Sequence, residues 1–273
     1  MIHRRHGNLE LREGPACEAA RRLEREGYAH LPAVLDGQET SALAAEISGI
    51  FNSSPPDRER DIGGEWRHAM FNRSSLAQKA VASRKILDAL EPLLGEDCHI
   101  IANTAWRNPP GHPGGRWHID AGPHVPRAEG VPWPEAIPYP VFAIGVHIFL
   151  IDCPNEAGPT AVVPGSHRSG RMPPPDSDAQ GMDLAFEGRS ARLLPALAGD
   201  AIAFVSDIWH RGTPAEPGYG RFFLQCHYAR RDIAQRIYPT SEFNQVSPEA
   251  AARAGDERER RLIGLHPMFF YDG

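Results

Sequence analysis

His118 and Asp120 stand two positions apart in Arg116-Trp117-His118-Ile119-Asp120, and His210 closes Asp207-Ile208-Trp209-His210 far downstream. On an extended strand, side chains at i and i+2 project from the same face, so His118 and Asp120 can offer an imidazole and a carboxylate to one ion. A second imidazole from a distant strand, with His210 the candidate, completes a two-histidine, one-carboxylate set. That set takes one face of an ion and leaves positions open for reactants, which suits non-haem Fe(II). The chemistry implied is iron-dependent oxygenation.

Alone, the His118–Asp120 pair carries little weight. With 13 histidines and 35 acidic residues, chance supplies roughly one or two His-x-acid pairs. Two ordinary polar residues at a strand–loop junction explain the pair equally well, and His210 can equally be a hydrogen-bonded structural residue. Context decides between these readings. Pro109-Pro110-Gly111-His112-Pro113-Gly114-Gly115 is a turn-rich lead into His118. Gly199-Asp200 begins a strand over 201–205 that delivers His210 at or just beyond its end. Arg221 opens another strand eleven positions after His210, and Gly158-Pro159-Thr160-Ala161-Val162-Val163-Pro164-Gly165-Ser166-His167-Arg168 lies between the two ligand segments.

On these residues the chain resembles the phytanoyl-CoA dioxygenase family, within the Fe(II)/2-oxoglutarate-dependent oxygenases. Glu26-Gly27-Tyr28-Ala29-His30-Leu31-Pro32 with Val34-Leu35 is similar to that family's opening strand and turn. Val146-His147-Ile148-Phe149-Leu150 and the Pro-Gly-Ser-His segment are similar to its central hairpin. The resemblance covers most of the chain. It implies a mainly β fold with flanking helices: a double-stranded β-helix, jelly-roll or cupin-like, with N-terminal helices buttressing one sheet.

The same resemblance implies Fe(II) on His118, Asp120 and His210, with O2 and 2-oxoglutarate as co-substrates. Decarboxylation to succinate and CO2 would accompany oxidation of a small-molecule metabolite. The distal carboxylate of 2-oxoglutarate then needs a cation, and Arg221 offers a planar fork that grips carboxylates in two places. Gln225 shares its strand face. Some family members carry a serine two residues after the distal histidine; here that position is Gly212, with Thr213 the possible substitute. Asn103 or Thr104 is a further candidate for binding the co-substrate. Related halogenases lack the carboxylate ligand, so Asp120 favours hydroxylation, with desaturation, epimerisation and cyclisation left open. Candidate pocket residues are Trp106, Trp117, Trp133, His147 and Arg116. His147, Gly145 and Phe149 share one side of their strand, opposite Ile144, Val146 and Ile148. His167 reads as a turn residue. No basic cluster for coenzyme A is evident, so a CoA thioester substrate is not carried over.

These side chains need a scaffold, and the chain is long enough to bury one. Its 273 residues are expected to form a single dioxygenase domain: about 15–98 a helical scaffold, about 99–232 the β-helix core, and 233–273 a C-terminal extension. A helix over 16–26 stops at Gly27, Asp36 caps a second carrying Leu43, Ile47 and Ile50, and a third spans about 74–94. Strands are expected near 99–106, 141–151, 160–163, 201–205 and 222–228. Two long loops, 121–140 and 169–189, read as lids, and 247–262 reads as a charged surface helix. A net charge of −6 without a basic block argues against nucleic-acid or anionic-membrane partners. No apolar stretch is long enough for a leader or membrane span. Cys17, Cys98, Cys153 and Cys226 lack zinc or disulfide spacing, and a cytoplasmic location is expected. Oligomeric state is unreadable. Two alternatives remain: a cupin-type metal oxygenase that does not use 2-oxoglutarate, for which Arg221 would have no purpose, and a catalytically silent barrel acting as a binding module. A hydrolytic zinc site is a more distant third.

Overall fold

The computed structural model describes residues 2–5, 8–11, 17–53, 65–120, 122–134, 136–235 and 246–266. An N-terminal hairpin, β1 (Ile2–Arg5) and β2 (Asn8–Leu11), precedes the main body. The major strands are β3 (Tyr28–Leu31), β4 (Glu65–His68), β5 (His99–Asn108) and β6 (Ala143–Phe149). A short β7 (Thr160–Val162), a two-residue hairpin of β8 (Ala185–Phe186) and β9 (Arg189–Ser190), and β10 (Arg192–Leu194) follow. The last are β11 (Ala201–Val205), β12 (His210–Gly212) and β13 (Arg221–Ala229). Six strands form one antiparallel sheet in the order β3-β11-β6-β13-β5-β4, and three form a second, β10-β7-β12. The two sheets face each other as an open double-stranded β-helix and do not close into a barrel among the described residues.

Alternation along the strands builds two separate interiors. Ile144, Val146 and Ile148 of β6, with Ala201, Ala203 and Val205 of β11, point outward into a core shared with the helices, including Leu23, Leu43, Ile47 and Phe51. The opposite parity, Phe149, Ile202, Phe204 and Phe223, points inward and meets Val162 and Leu194 of the small sheet. The helices therefore cover one face of the large sheet, as expected of a scaffold.

Helix α1 (Glu18–Glu26) ends at Gly27, whose φ of +83° supplies a left-handed stop. A Cβ there would sit 2.5 Å from His167 Nδ1, so glycine also permits close approach of the Pro-Gly-Ser-His turn. His167 is fully buried, and its Nε2 bonds the Glu24 carbonyl at 3.0 Å, tying that turn to α1. Helix α2 (Gly37–Ser53) opens with a capping box: Asp36 accepts from Glu39 N–H at 2.8 Å, and Glu39 accepts from Asp36 N–H at 3.1 Å.

The single helix expected over about 74–94 is two, α4 (Ser75–Val81) and α5 (Arg84–Leu94), and one further turn, α3 (Met70–Arg73), precedes them. Ser74 caps α4 through Ala77 N–H at 2.8 Å, and the chain turns again at Ala82 and Ser83, where the Ser83 hydroxyl donates to the Val34 carbonyl. The segment 169–189, expected as a long loop, is only partly irregular; α6 (Ser177–Gln180) and the β8–β9 hairpin form there. The expected C-terminal surface helix is two, α7 (Pro248–Arg253) and α8 (Glu257–Leu262), capped by Ser247 and Asp256. Both bury apolar residues, Ala250 and Leu262, in the helix-side core.

Candidate metal centre

The segment 116–120 lies along the small sheet as a single bridge. His118 N–H donates to the His210 carbonyl and His210 N–H donates to the His118 carbonyl, both at 2.9 Å. This reciprocal pair puts the two residues directly opposite each other, and their rings lie with centroids 4.3 Å apart. Asp120, two positions on, shares their face, with its N–H on the Ser206 carbonyl at 3.1 Å. Candidate ligand atoms from His118, Asp120 and His210 all lie within 4.8 Å of one another. Sequence separation is thus cancelled by one backbone pairing.

Tautomers follow from the backbone. His118 Nδ1 lies 2.8 Å from the Arg116 carbonyl and His210 Nδ1 lies 2.9 Å from the Ile208 carbonyl. A carbonyl only accepts, so each Nδ1 carries a proton, and Nε2 is the atom that each ring, when neutral, can offer to an ion. The Asp120 side chain is turned inward, 19% accessible. Its Oδ1 is 3.4 Å from His210 Nε2, and its Oδ2 is 3.0 Å from His227 Nε2. Burial works against the Asp120 carboxylate, but the His227 and His210 imidazoles outweigh it and hold its pKa well below the usual range. Burial likewise works against a proton on His210, and Asp120 outweighs it, so His210 titrates above an ordinary histidine.

The centre opens into a cavity of about 290 Å³ between the sheets, a size for a small molecule. Arg221, the first residue of β13, lies in its wall, 7% exposed. Burial lowers its pKa to about 10, so it stays charged at neutral pH. Among the described residues it has no carboxylate partner. Gly212 makes room for it, because a Cβ there would lie 2.4 Å from Arg221 Nη2. Trp106 and Phe223 stack at an interplanar angle of 8°, and Trp106 Nε1–H donates to Gln225 Oε1 at 2.6 Å, forming one side of the cavity.

Of the residues named from the sequence, His118, Asp120, His210, Arg221, Trp106 and His147 line this cavity. Six others do not. Asn103 points to the helix side of β5, where it accepts from Phe71 N–H at 2.9 Å and donates to the Gln225 carbonyl at 2.8 Å. The Thr104 hydroxyl pairs with His68 Nδ1 at 3.1 Å. The Thr213 hydroxyl donates to the Pro159 carbonyl at 2.7 Å, joining two turns. Trp117 has the opposite parity to His118 and packs with Ile119 and Trp209 on the outer side of the small sheet. Arg116 has a 92% exposed side chain near Asp178. Trp133 edges onto Tyr139, with ring centroids 5.0 Å apart, and its indole N–H donates to the Ile137 carbonyl.

His227 was not expected. It follows Arg221 on the same face of β13, after Phe223 and Gln225, and extending the alternation two more residues would have found it.

A family model described as phytanoyl-CoA dioxygenase (PhyH) matches residues 23–216. L-Proline trans-4-hydroxylase of Streptomyces griseoviridis is 24% identical over 244 residues, covering 79% of this chain and 87% of the relative. Among solved structures, the non-heme alpha ketoglutarate dependent epimerase SnoN from nogalamycin biosynthesis superposes with a TM-score of 0.61 at 20% identity, over 78% of this chain and 81% of that one. EctD from S. alaskensis with bound Fe gives 0.62 at 17% identity, over 81% and 78%. At these identities the likeness speaks for the fold.

Proposed function

The chain belongs to the phytanoyl-CoA dioxygenase family of non-haem iron- and 2-oxoglutarate-dependent dioxygenases, and from that premise we propose that it hydroxylates a small-molecule metabolite, with His118, Asp120 and His210 holding Fe(II) and Arg221 anchoring 2-oxoglutarate. When bound, the iron and the keto acid supply decarboxylation to succinate and CO2, coupled to oxidation of the substrate by O2. The residues present fit both. Two neutral imidazoles and one carboxylate suit Fe(II) and take one face of it. The observation that carries the co-substrate assignment is Arg221, a buried guanidinium without an acidic partner among the described residues, in the wall of the cavity that holds the centre. A buried charge left uncompensated is costly, and a ligand carboxylate would complete it.

The rest of the site positions and shields. The Arg116 and Ile208 carbonyls fix the two rings, and His227 occupies the second oxygen of Asp120, which favours a single carboxylate oxygen on the ion. The Trp106–Phe223 stack keeps water from one flank. Arg221 favours this reading over a cupin-type oxygenase that dispenses with 2-oxoglutarate, and a complete ligand set favours turnover over a silent binding barrel. The presence of Asp120 supports hydroxylation. A cytoplasmic setting agrees with four free cysteines, three of them buried, and among the described residues no helix is long and apolar enough to cross a membrane.

The test is an anaerobic titration of the chain with Fe(II) and 2-oxoglutarate, followed by the weak visible charge-transfer absorption of the iron–keto acid chelate. The band is expected only when both are present. Its absence at saturating concentrations of both would overturn the proposal.

A further inference from the structure

A second cavity, of about 480 Å³, lies between the C-terminal half of α1, the Pro164 turn and the β9–β10 segment. Its wall is cationic. Arg22 and Arg25 enter it from α1, Arg189 from β9 and Arg192 from β10, and Glu26 is the single acidic residue among the described residues that line it. In a chain of net charge −6 this is a local reversal of sign. The cavity shares no lining residue with the metal centre. Tyr28, in its wall, stands opposite Phe204 in the β3–β11 register, and the Phe204 ring meets His210 with centroids 4.6 Å apart. Inward-facing aromatic side chains thus separate the two cavities.

Half of the cluster is fixed by the protein and half is left free. Arg22 and Arg25 are three apart on a helix, so they share a face and repel each other. Glu26 holds Arg25 and Arg189 together: its Oε1 lies 3.1 Å from Arg25 Nε and its Oε2 3.3 Å from Arg189 Nη1. Glu187 and Gly188, with φ of +48° and +75°, make the tight turn that pairs Phe186 with Arg189 and sends Arg189 back over the Pro164-Gly165 turn. Gly165 makes that approach possible, because a Cβ there would lie 1.8 Å from Arg189 Nη2. Glu187 adds only a longer contact to Arg189, at 3.8 Å. Arg22 and Arg192 have no acidic partner among the described residues.

We propose that this cavity is a binding site for a phosphate-bearing small molecule, held between Arg22 and Arg192 and the Glu26-linked pair of Arg25 and Arg189. A carboxylate has two oxygens and is filled by one guanidinium fork, whereas a terminal phosphate has three and accepts from several at once. Four converging guanidiniums therefore fit phosphate better than carboxylate. The volume and concave shape suit a small ligand, not an extended polyanion. The site stands independently of the 2-oxoglutarate reading, since no residue of the metal centre takes part.

The experiment is isothermal titration calorimetry of the full chain with inorganic pyrophosphate at low ionic strength, without added metal. One pyrophosphate per chain is expected to bind. Combining Arg22→Ala with Arg192→Ala should weaken it by about tenfold or more. Arg192→Glu, a single exchange on another element that reverses the charge, should weaken it at least as much. Arg221→Ala should bind pyrophosphate as the parent does, which separates this site from the metal cavity. Succinate, a dianion built of carboxylates, should bind about tenfold more weakly than pyrophosphate. No binding by the parent, or undiminished binding in the two Arg192 variants, would overturn the proposal. So would loss of binding in Arg221→Ala, or succinate binding as tightly as pyrophosphate. A single-stranded oligonucleotide that displaces pyrophosphate at lower concentration would overturn the small-molecule assignment in favour of nucleic acid.

Discussion

The two ends of the cavity are built on different electrostatic terms. At the metal end the protein supplies partners to the candidate ligands: Asp120 accepts from His227 and faces His210, and the Nδ1 atoms of His118 and His210 rest on backbone carbonyls. At the other end, Arg221 lacks a counter-charge among the described residues and His147 Nε2 lacks any partner. Proteins seldom bury unmet polar groups without a use for them. The contrast teaches that the protein supplies the partners at the His118–Asp120–His210 end, whereas the Arg221 end, on the function proposed above, takes its partner from an anion that binds there.

Substitutions at the two ends should separate accordingly. Asp120→Ala removes a ligand and should abolish succinate formation, with Fe(II) affinity falling by more than about a hundredfold, since even outer-shell partners of metal ligands are worth roughly 10–100-fold. Undiminished turnover would remove Asp120 from the centre. Arg221→Ala should weaken 2-oxoglutarate roughly a hundredfold, because it deletes one partner of a desolvated charge pair, while Fe(II) binding, followed by equilibrium dialysis, stays within about threefold. Equal losses of both ligands would erase the distinction between the ends. His227→Ala should act on the metal end only, loosening Fe(II) by about tenfold and leaving the affinity of the metal-loaded protein for 2-oxoglutarate unchanged.

The smallest effect is expected outside the cavity. Asp200, at the start of β11, accepts from Ala33 N–H at 2.8 Å, His30 Nε2 at 2.7 Å and Leu197 N–H at 3.2 Å. Burial works against its carboxylate, and these bonds outweigh burial and lower its pKa. A depressed carboxylate stabilises the fold fully above its unfolded pKa, and that stabilisation disappears as pH falls through the folded value. Asp200→Asn should therefore lower Tm at pH 7 and differ progressively less from the parent as the medium becomes more acidic than about pH 4. A Tm difference that does not change with pH would show that the carboxylate charge is not what matters.

Much of the metal end was legible because it obeys local rules. The spacing of His118 and Asp120 follows strand alternation, and the turn at Gly199-Asp200 marks the strand that leads to His210. The same rule, applied further, rejects Trp117, whose odd position sends it to the outer face with Ile119, and it would have supplied His227. Asn103 and Thr104 were harder: both are buried near the cavity, but their partners, Phe71 and His68, belong to segments whose placement no pattern in β5 reveals. Strand order was hidden for a similar reason. β3 pairs with β11, so Ala29 lies opposite Ala203, a pairing set by tertiary packing and unreadable from either strand. The break between α4 and α5 is hidden in the sequence because apolar residues resume at helical spacing on either side of Ser83, while a hydrogen bond from Ser83 to distant Val34 holds the turn.

One ion and one keto acid are expected to bridge the two ends of the cavity. A crystal structure of the anaerobic protein with Fe(II) and 2-oxoglutarate tests this most directly. It should show iron on Nε2 of His118 and His210 and on one oxygen of Asp120, with the distal carboxylate against Arg221. Iron held by other side chains, or a keto acid whose distal carboxylate points away from Arg221, would contradict it.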